Sequence, residues 1–422
     1  MRTKSVLAQA FGLERTAIED VEERDGAIVI SVRPRAKARG RCGRCQRRCR
    51  GYDQGRGRRQ WRALDMGVSK VVIEADAPRV NCPEHGPTVA AVPWARHNAG
   101  HTRQFDEQVA WLAVHMSKSA AMVLMSVAWR TIGSILDRVL AEIDQGVDRL
   151  EGLRRIGIDE ISYKRGHRYL TVVVDHDTGR LVWAAPGRDK ATLAMFFDQL
   201  GPKRTAQLTY VSADMADWIR SVVIERAPQA VLCADPFHVV QWAMEALDVE
   251  RRRAWNQASG RVKVQRAAGK NKGATGPARQ MKRSRWSLLK NPENLTDHQR
   301  EQLAWIVKTD PRLYRAYLLK EGLRHVFKLR GDAAKQALDE WLAWAQRSRI
   351  EAFVHLGRRI RRRRTEIEAT LDHGLSNGLV ESANTKIRVI TRVAFGFHGP
   401  QPLIALAMLA LGHPRPTLPG RA

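Results

Sequence analysis

Three acids in this chain lie too far apart to form a local motif, yet each falls where a regular element can hold it: Asp159, Asp214 and Glu381. Hard carboxylate oxygens with open water positions suit Mg²⁺ or Mn²⁺. Two such ions beside DNA would support phosphodiester chemistry. One would activate a water or a DNA 3′-hydroxyl, and the other would steady the leaving 3′-oxygen. Glu381 has the most telling surroundings: Ser376-Asn377-Gly378-Leu379-Val380-Glu381-Ser382-Ala383-Asn384-Thr385-Lys386-Ile387-Arg388. Asn377-Gly378 supplies a turn, and Glu381, Asn384 and Arg388 share one face of the helix that follows. The plain alternative for this acid is a salt bridge to Lys386 or Arg388. Asn384, Lys386, Arg388 and Arg392 are the expected DNA contacts of this helix.

A second set of residues fits a metal of another kind. Cys42-x2-Cys45 and Cys82-x2-His85 are two knuckles 82−45 = 37 residues apart. Together they can close a tetrahedral Zn²⁺ site. Cys49 is a spare that could replace Cys45, and unligated surface thiols are the bland alternative. Between the knuckles, Arg58–Arg62 and Lys70–Glu74 read as strands, as in a zinc ribbon. A short helix and the strand Ala27–Val32 are expected before them.

Composition says what the acids face. The chain has 422 residues, with 72 Lys+Arg against 44 Asp+Glu, a net charge of +28. That excess calls for a polyanion, and nucleic acid is the default. An anionic membrane surface is the weaker candidate. No apolar run of about twenty residues is present, so no transmembrane helix is expected. The N-terminus lacks an apolar signal core, so a cytoplasmic, nucleoid-associated protein is expected.

The elements that must position these residues can be read in order. Residues 103–145 keep a helical period. Within them, a small-residue helix, a brief break and Arg130-Thr131-Ile132 opening a second helix resemble a helix-turn-helix. Arg130, Thr131 and Ser134 would then face DNA; an ordinary helical hairpin is the alternative. From residue 154 the texture changes to buried strands: Ile156–Ile161, His167–Asp175 and Arg180–Ala184, with Asp175 and Asp177 as turn residues. A helix over 190–200, a strand over 208–212, a helix over 217–226 and a strand over 230–234 follow. Three antiparallel strands, then helix, strand, helix, strand, is the order of a ribonuclease H-like fold. It makes the first and fourth strands neighbours, so Asp159 and Asp214 can share a metal. Alternation sends Glu160 to the opposite face, which sets it aside. Residues 240–370 read as helical, rich in Arg and Trp, with a mobile Gly/Lys-rich loop over Gly260–Lys282. The tail after Leu411 is expected to fray.

These pieces resemble a known family, the bacterial insertion-sequence DDE transposases of the ISL ("ISL three") type. The matching pieces are the two zinc knuckles, the helix-turn-helix around 117–137, Ile158-Asp159-Glu160, Ser212-Ala213-Asp214-Met215, Ala234-Asp235-x2-His238-Val239, and Ser376-Asn377-Gly378-x2-Glu381-x2-Asn384-x-Lys386-Ile387. The resemblance implies that Asp159, Asp214 and Glu381 are the catalytic triad. It also implies that His238 contacts the scissile phosphate or braces the site; capping of the strand-to-helix junction is the alternative. The interval 381−214 = 167 fits an all-α insertion.

The expected architecture is multidomain α/β. It comprises a zinc ribbon-like module (1–100), a helix-turn-helix (101–150), a ribonuclease H-like catalytic core (151–239 and 371–412) interrupted by an all-α insertion domain (240–370), and a tail (413–422). The expected partners are double-stranded DNA, as terminal inverted repeats and target, and a second copy of the chain. The competing readings are a nuclease or resolvase that cuts without joining, and a DNA-binding regulator derived from a transposase. A tyrosine recombinase is disfavoured, because none of the 6 tyrosines sits in an Arg/His/Tyr constellation.

Overall fold

The computed structural model describes residues 3–267 and 276–421. The N-terminal part holds α1 (Thr3–Ala10) and seven strands: β1 (Thr16–Arg24), β2 (Ala27–Pro34), β3 (Arg50–Asp53), β4 (Arg58–Arg62), β5 (Lys70–Asp76), β6 (Arg79–Cys82) and β7 (Gly86–Val89). They form two sheets, β1-β2-β5-β4 and β3-β6-β7. Trp61, Val71 and Ile73 fill the core of the larger one. β1 was not anticipated. It is an edge strand, largely solvent-facing and carrying Glu19, Asp20, Glu22 and Glu23, so it lacks the apolar alternation that marks a half-buried strand.

Three helices follow: α2 (Arg103–His115), α3 (Lys118–Met125) and α4 (Trp129–Gly146). Thr102 and Ser117 cap the first two by accepting from backbone amides. Ser126 ends α3 in the left-handed conformation, and the chain turns by 99° into α4. Ile132, Ile135, Leu136 and Val139 form the buried stripe of α4.

The central sheet has the order β10-β9-β8-β11-β12, built from β8 (Arg155–Lys164), β9 (Arg168–Asp175), β10 (Leu181–Pro186), β11 (Tyr210–Ala213) and β12 (Val231–Ala234). β8, β9 and β10 pair antiparallel, whereas β11 pairs parallel with both β8 and β12. α5 (Lys190–Leu200), α6 (Pro202–Thr205) and α7 (Asp217–Arg226) supply the crossovers.

From Pro236 to His373 the described residues are helical or in turns: α8 (Pro236–Ala267), α9 (Gly276–Arg283), α10 (Arg285–Leu289), α11 (Asp297–Thr309), α12 (Pro311–Val326), α13 (Gly331–Arg347), α14 (Glu351–Arg362) and α15 (Arg364–His373). The loop expected over Gly260–Lys282 is helical at both ends, where Met281 is buried in this bundle's core. Its centre lies outside the described residues.

The chain then returns to the sheet through α16 (Gly378–Val393) and α17 (Pro400–Leu411). α16 lies against β8 and β9, and α17 against α4 and β10. One apolar core therefore joins the α2–α4 helices, one face of the sheet and the two last helices. Gly157 on β8 marks the tightest approach. A Cβ there would meet Val380 Cγ2 at 2.3 Å and His176 Nε2 at 2.8 Å. Gly157→Ala is therefore expected to push α16 off the sheet, costing about 1–3 kcal/mol, read as a lower urea midpoint.

Candidate active site and zinc centre

The two knuckles converge. Ligand atoms of Cys42, Cys45, Cys82 and His85 lie within 4.8 Å of one another. Cys45 Sγ is 3.7 Å from Cys82 Sγ, and His85 Nδ1 is 3.6 Å from Cys82 Sγ and 3.8 Å from Cys42 Sγ. A tetrahedron with Zn–S bonds of about 2.3 Å has edges of roughly 3.8 Å, so the donors fit zinc by type and spacing. Cys49 stays outside the set and donates to the Arg47 carbonyl. Of the two alternatives, it is Cys45 and not Cys49 that falls within this group.

On α4, Arg130 and Ser134 are exposed opposite the apolar stripe, and Thr131 is half-buried at its edge. This is the surface that a second helix of a helix-turn-helix offers to a DNA groove.

The carboxylates are placed by the central sheet. The parallel register of β8 and β11 pairs Ile158 with Ala213, and Asp159 and Asp214 are the next residue on each chain, with Asp214 acting on the Asp159 carboxyl. Asp159 Oδ1 accepts from the Glu160 amide at 2.8 Å, and Oδ2 accepts from Asn384 Nδ2 at 2.8 Å. Asp214 Oδ1 accepts from the Ala216 amide at 3.0 Å. Glu381 is half-buried one turn into α16. Burial raises its pKa, as does Asp235, while His238 and Arg388 act against the rise. Among the described residues, only the Cys/His group brings three or more such donors within 4.8 Å of one another; the three acids are spread more widely.

His238 bonds through Nδ1 to Asp235 Oδ2 at 2.8 Å, which raises the imidazole pKa. Asp235 is 2% exposed, and its other oxygen accepts from the amides of Phe237 and Asn377. This pair both caps the start of α8 and lies in the field of Asp159 and Asp214, so the two readings of His238 are compatible.

Several site residues escaped the sequence reading. Asn377, expected only as a turn former, is fully buried and donates to the Ile158 carbonyl at 3.2 Å. Its Oδ1 accepts from Ser212, whose hydroxyl lies 2.7 Å from His176 Nε2. Because that hydroxyl gives its one hydrogen to Asn377, His176 must donate to it. The chain His176–Ser212–Asn377 ties β9, β11 and the start of α16 together. Asn384, expected among the DNA contacts, is 2% exposed and bonded to Asp159, so it sits beneath the site. Lys386, Arg388 and Arg392 are exposed. Glu160 contacts Arg188, yet burial first, and Asp214 next, push its carboxyl up to about 7. Strand alternation had excluded it, but beyond the end of the β11 ladder Asp214 acts on both neighbours. Asp175 behaves as expected, accepting from the Asp177 amide in the turn.

Burial pushes the Asp159 carboxyl up to about 6, with Asp214 and Asp235 adding to the rise. Between that value and its ordinary 3.8, the folded chain holds a proton that the unfolded chain has released. The Asp159 share of magnesium-free stability should therefore be lost as pH rises from about 4 through 6, roughly 2–3 kcal/mol. Asp159→Asn should be the more stable protein by that amount at pH 7 and equal to wild type below pH 4. Urea denaturation in magnesium-free buffer at the two pH values checks this. The acids fit a divalent cation by donor type: they are hard oxygen donors, Asp159 lies in the field of Asp214 and Asp235, and the buried Glu160 Oε2 has no partner.

Comparison with known proteins accounts for all three parts. Residues 38–85 match the zinc-finger of transposase IS204/IS1001/IS1096/IS1165. Residues 90–140 match the helix-turn-helix domain of transposase family ISL3, and residues 156–407 match the ISL3 DDE domain described as transposase. The chain is 61% identical to the transposase for insertion sequence element IS1557 of Mycobacterium tuberculosis, over all of this chain and 98% of that protein. It is 29% identical to the transposase for IS1001 of Bordetella parapertussis, over 92% of each. With a zinc finger, a helix-turn-helix and a DDE domain in this order, the chain belongs to the ISL3 family of insertion-sequence transposases.

Proposed function

We propose that this transposase binds the terminal inverted repeats of its element, cleaves DNA at the element ends and joins the freed 3′-hydroxyls to target DNA. Asp159, Asp214 and Glu381 act as the triad. The observation that carries this reading is the tie between Asn384, on the helix of Glu381, and Asp159, which directly follows the last β8 residue paired with β11 and lies in the field of Asp214. Residues 151–239 and 371–412 are read as a ribonuclease H-like core and 240–370 as its all-α insertion, flanked by the zinc module (1–100), the helix-turn-helix (101–150) and the tail (413–422).

When bound at these three acids, Mg²⁺ or Mn²⁺ supplies charge neutralisation at the phosphate and an activated oxygen nucleophile. The chain's own residues prepare the site. Asn384 and the Glu160 amide fix the orientation of Asp159. Asp235 favours the protonated form of His238, which can then donate to a phosphate oxygen. Lys386, Arg388 and Arg392 hold the backbone near the cut, while Arg130, Thr131 and Ser134 read the repeat with a few contacts. Two ends must be processed together, so a homodimer or larger assembly on DNA is the working unit.

The test is an Mg²⁺-dependent assay on DNA carrying the element's ends, with a second duplex as target. Cutting followed by joining is the expected result. Cutting without joining would make the protein a nuclease, and binding without chemistry would make it a regulator.

A further inference from the structure

The helical bundle carries a groove of about 1080 Å³ between α8 and α14. Trp242, Glu245, Val249 and Arg252 line it from α8. These positions continue a single stripe that begins at His238, with spacings of four and three residues. Along α8 the stripe therefore runs from His238, beside the candidate active site, to the residues that line the groove. From His238 to Arg252 the stripe covers 252−238 = 14 residues, about 21 Å at the helical rise of about 1.5 Å.

Its other wall is basic. His355, Arg359 and Arg362 share one face of α14 at i, i+4 and i+7. Arg359 lies over the Trp242 ring, 3.6 Å from its centroid. The neighbouring Arg363 and Arg364 are engaged by Asp217, Asp339 and Glu368. Among the described residues, Arg358, Arg359, Arg361 and Arg362 have no carboxylate within salt-bridge distance. Two of the acids that line the groove are paired with arginines, and Glu245 acts on Arg359 across it. Asp248 pairs with Arg251 and Arg252, Glu250 with Arg253 and Arg312, and Glu351 lies against His355. Glu245 accepts from Gln241. The groove's lining thus holds six arginines against four acids, with Trp242 as its aromatic base.

We infer that this groove holds the sugar–phosphate backbone of the DNA that flanks the scissile bond, with Arg359 and Arg362 as its principal phosphate contacts. The inference rests on the transposase reading of the active site and adds to it a second, sequence-neutral contact with the same DNA. Guanidinium groups on phosphates carry no base information directly, so the contact orients the duplex rather than reading it. At about 3.4 Å per base pair, the 21 Å stripe spans roughly six base pairs.

The experiment compares full-length wild type, Arg359→Glu/Arg362→Glu and the single variant Arg362→Glu. Each is titrated with duplexes that stop at the cleavage point or continue about ten base pairs past it on either side. Wild type is expected to bind one extended duplex at least about tenfold more tightly than the blunt one. The double variant should lose that preference, and its log–log salt slope should be shallower by about 1.8, the figure for two lost phosphate contacts. The single variant should lose about half of each effect. Unchanged melting midpoints show that all three proteins are folded. If a well-folded variant keeps both the preference and the slope, the inference is overturned. The wild-type cleavage assay separates the two failures. Cleavage with an unaffected slope rejects the groove alone, whereas a reduced slope without any cleavage rejects the transposition chemistry and leaves the groove as a DNA-binding surface.

Discussion

Asp159→Asn and Glu381→Gln, made separately, should each lower Mg²⁺-dependent cleavage and strand transfer by about 10³-fold or more, with affinity for element ends unchanged within about twofold. The magnitude follows from what a carboxylate does here. It neutralises the charge that gathers as a phosphodiester is displaced, and losing one such group typically removes about 3–4 kcal/mol of transition-state stabilisation. Both substitutions preserve shape, and neither residue lies on the exposed basic face that would meet the repeat. The predicted signature is therefore bound but uncut DNA. Gel-resolved cleavage beside a binding titration reads both at once. If Glu381→Gln cuts at the wild-type rate, the third acid has been misassigned. The buried Asn384 next to Asp159 gives an internal comparison. Asn384→Ala should cost about 10–100-fold, as expected of a group that orients a ligand without touching substrate.

The second large effect concerns zinc. Cys82→Ser or Cys45→Ser should abolish retention of one equivalent of zinc and lower end-specific DNA affinity by about 100-fold or more. Cys49→Ser should change neither. The small β3-β6-β7 sheet has little apolar core of its own beyond Val80 and the cysteines. Without metal it lacks the burial needed to offset chain entropy. Structural zinc contributes on the order of 10 kcal/mol in small modules, so its loss means local unfolding rather than loosening. Native mass spectrometry counts the metal, and a binding titration follows the DNA. Loss of zinc from Cys49→Ser with retention in Cys45→Ser would reverse the ligand assignment.

Much of this molecule was legible because its signals are local. The strands of the central sheet are buried β-branched runs between turns, and the zinc knuckles are pairs of ligands two residues apart. The 99° turn at Ser126 ends a short helix that opens on Ser119-Ala120-Ala121. What escaped depends on partners distant in sequence. The Ser212–Asn377 hydrogen bond joins residues 377−212 = 165 apart, and neither side chain announces the other. Asn384 looked like a surface polar residue because its helix face is otherwise basic, and only the position of β8 shows that it points inward. Glu160 was set aside by strand alternation, a rule that describes side chains within a ladder and not an acid placed just past the end of the next strand. β1 carries so many charges that no apolar period could mark it.

The packing of Pro400–Leu411 against α4 and β10 bears on how the protein comes into being. A ribosome delivers the helix-turn-helix residues long before this helix. Until it arrives, Ile132, Leu136 and their neighbours lack part of the apolar cover that they have in the finished molecule. Products of stalled or interrupted translation would expose that surface and go to chaperones and proteases. Chains that stop before this helix would thus be poor competitors for the element's ends, and only a molecule extended past it would hold its DNA reader in shape.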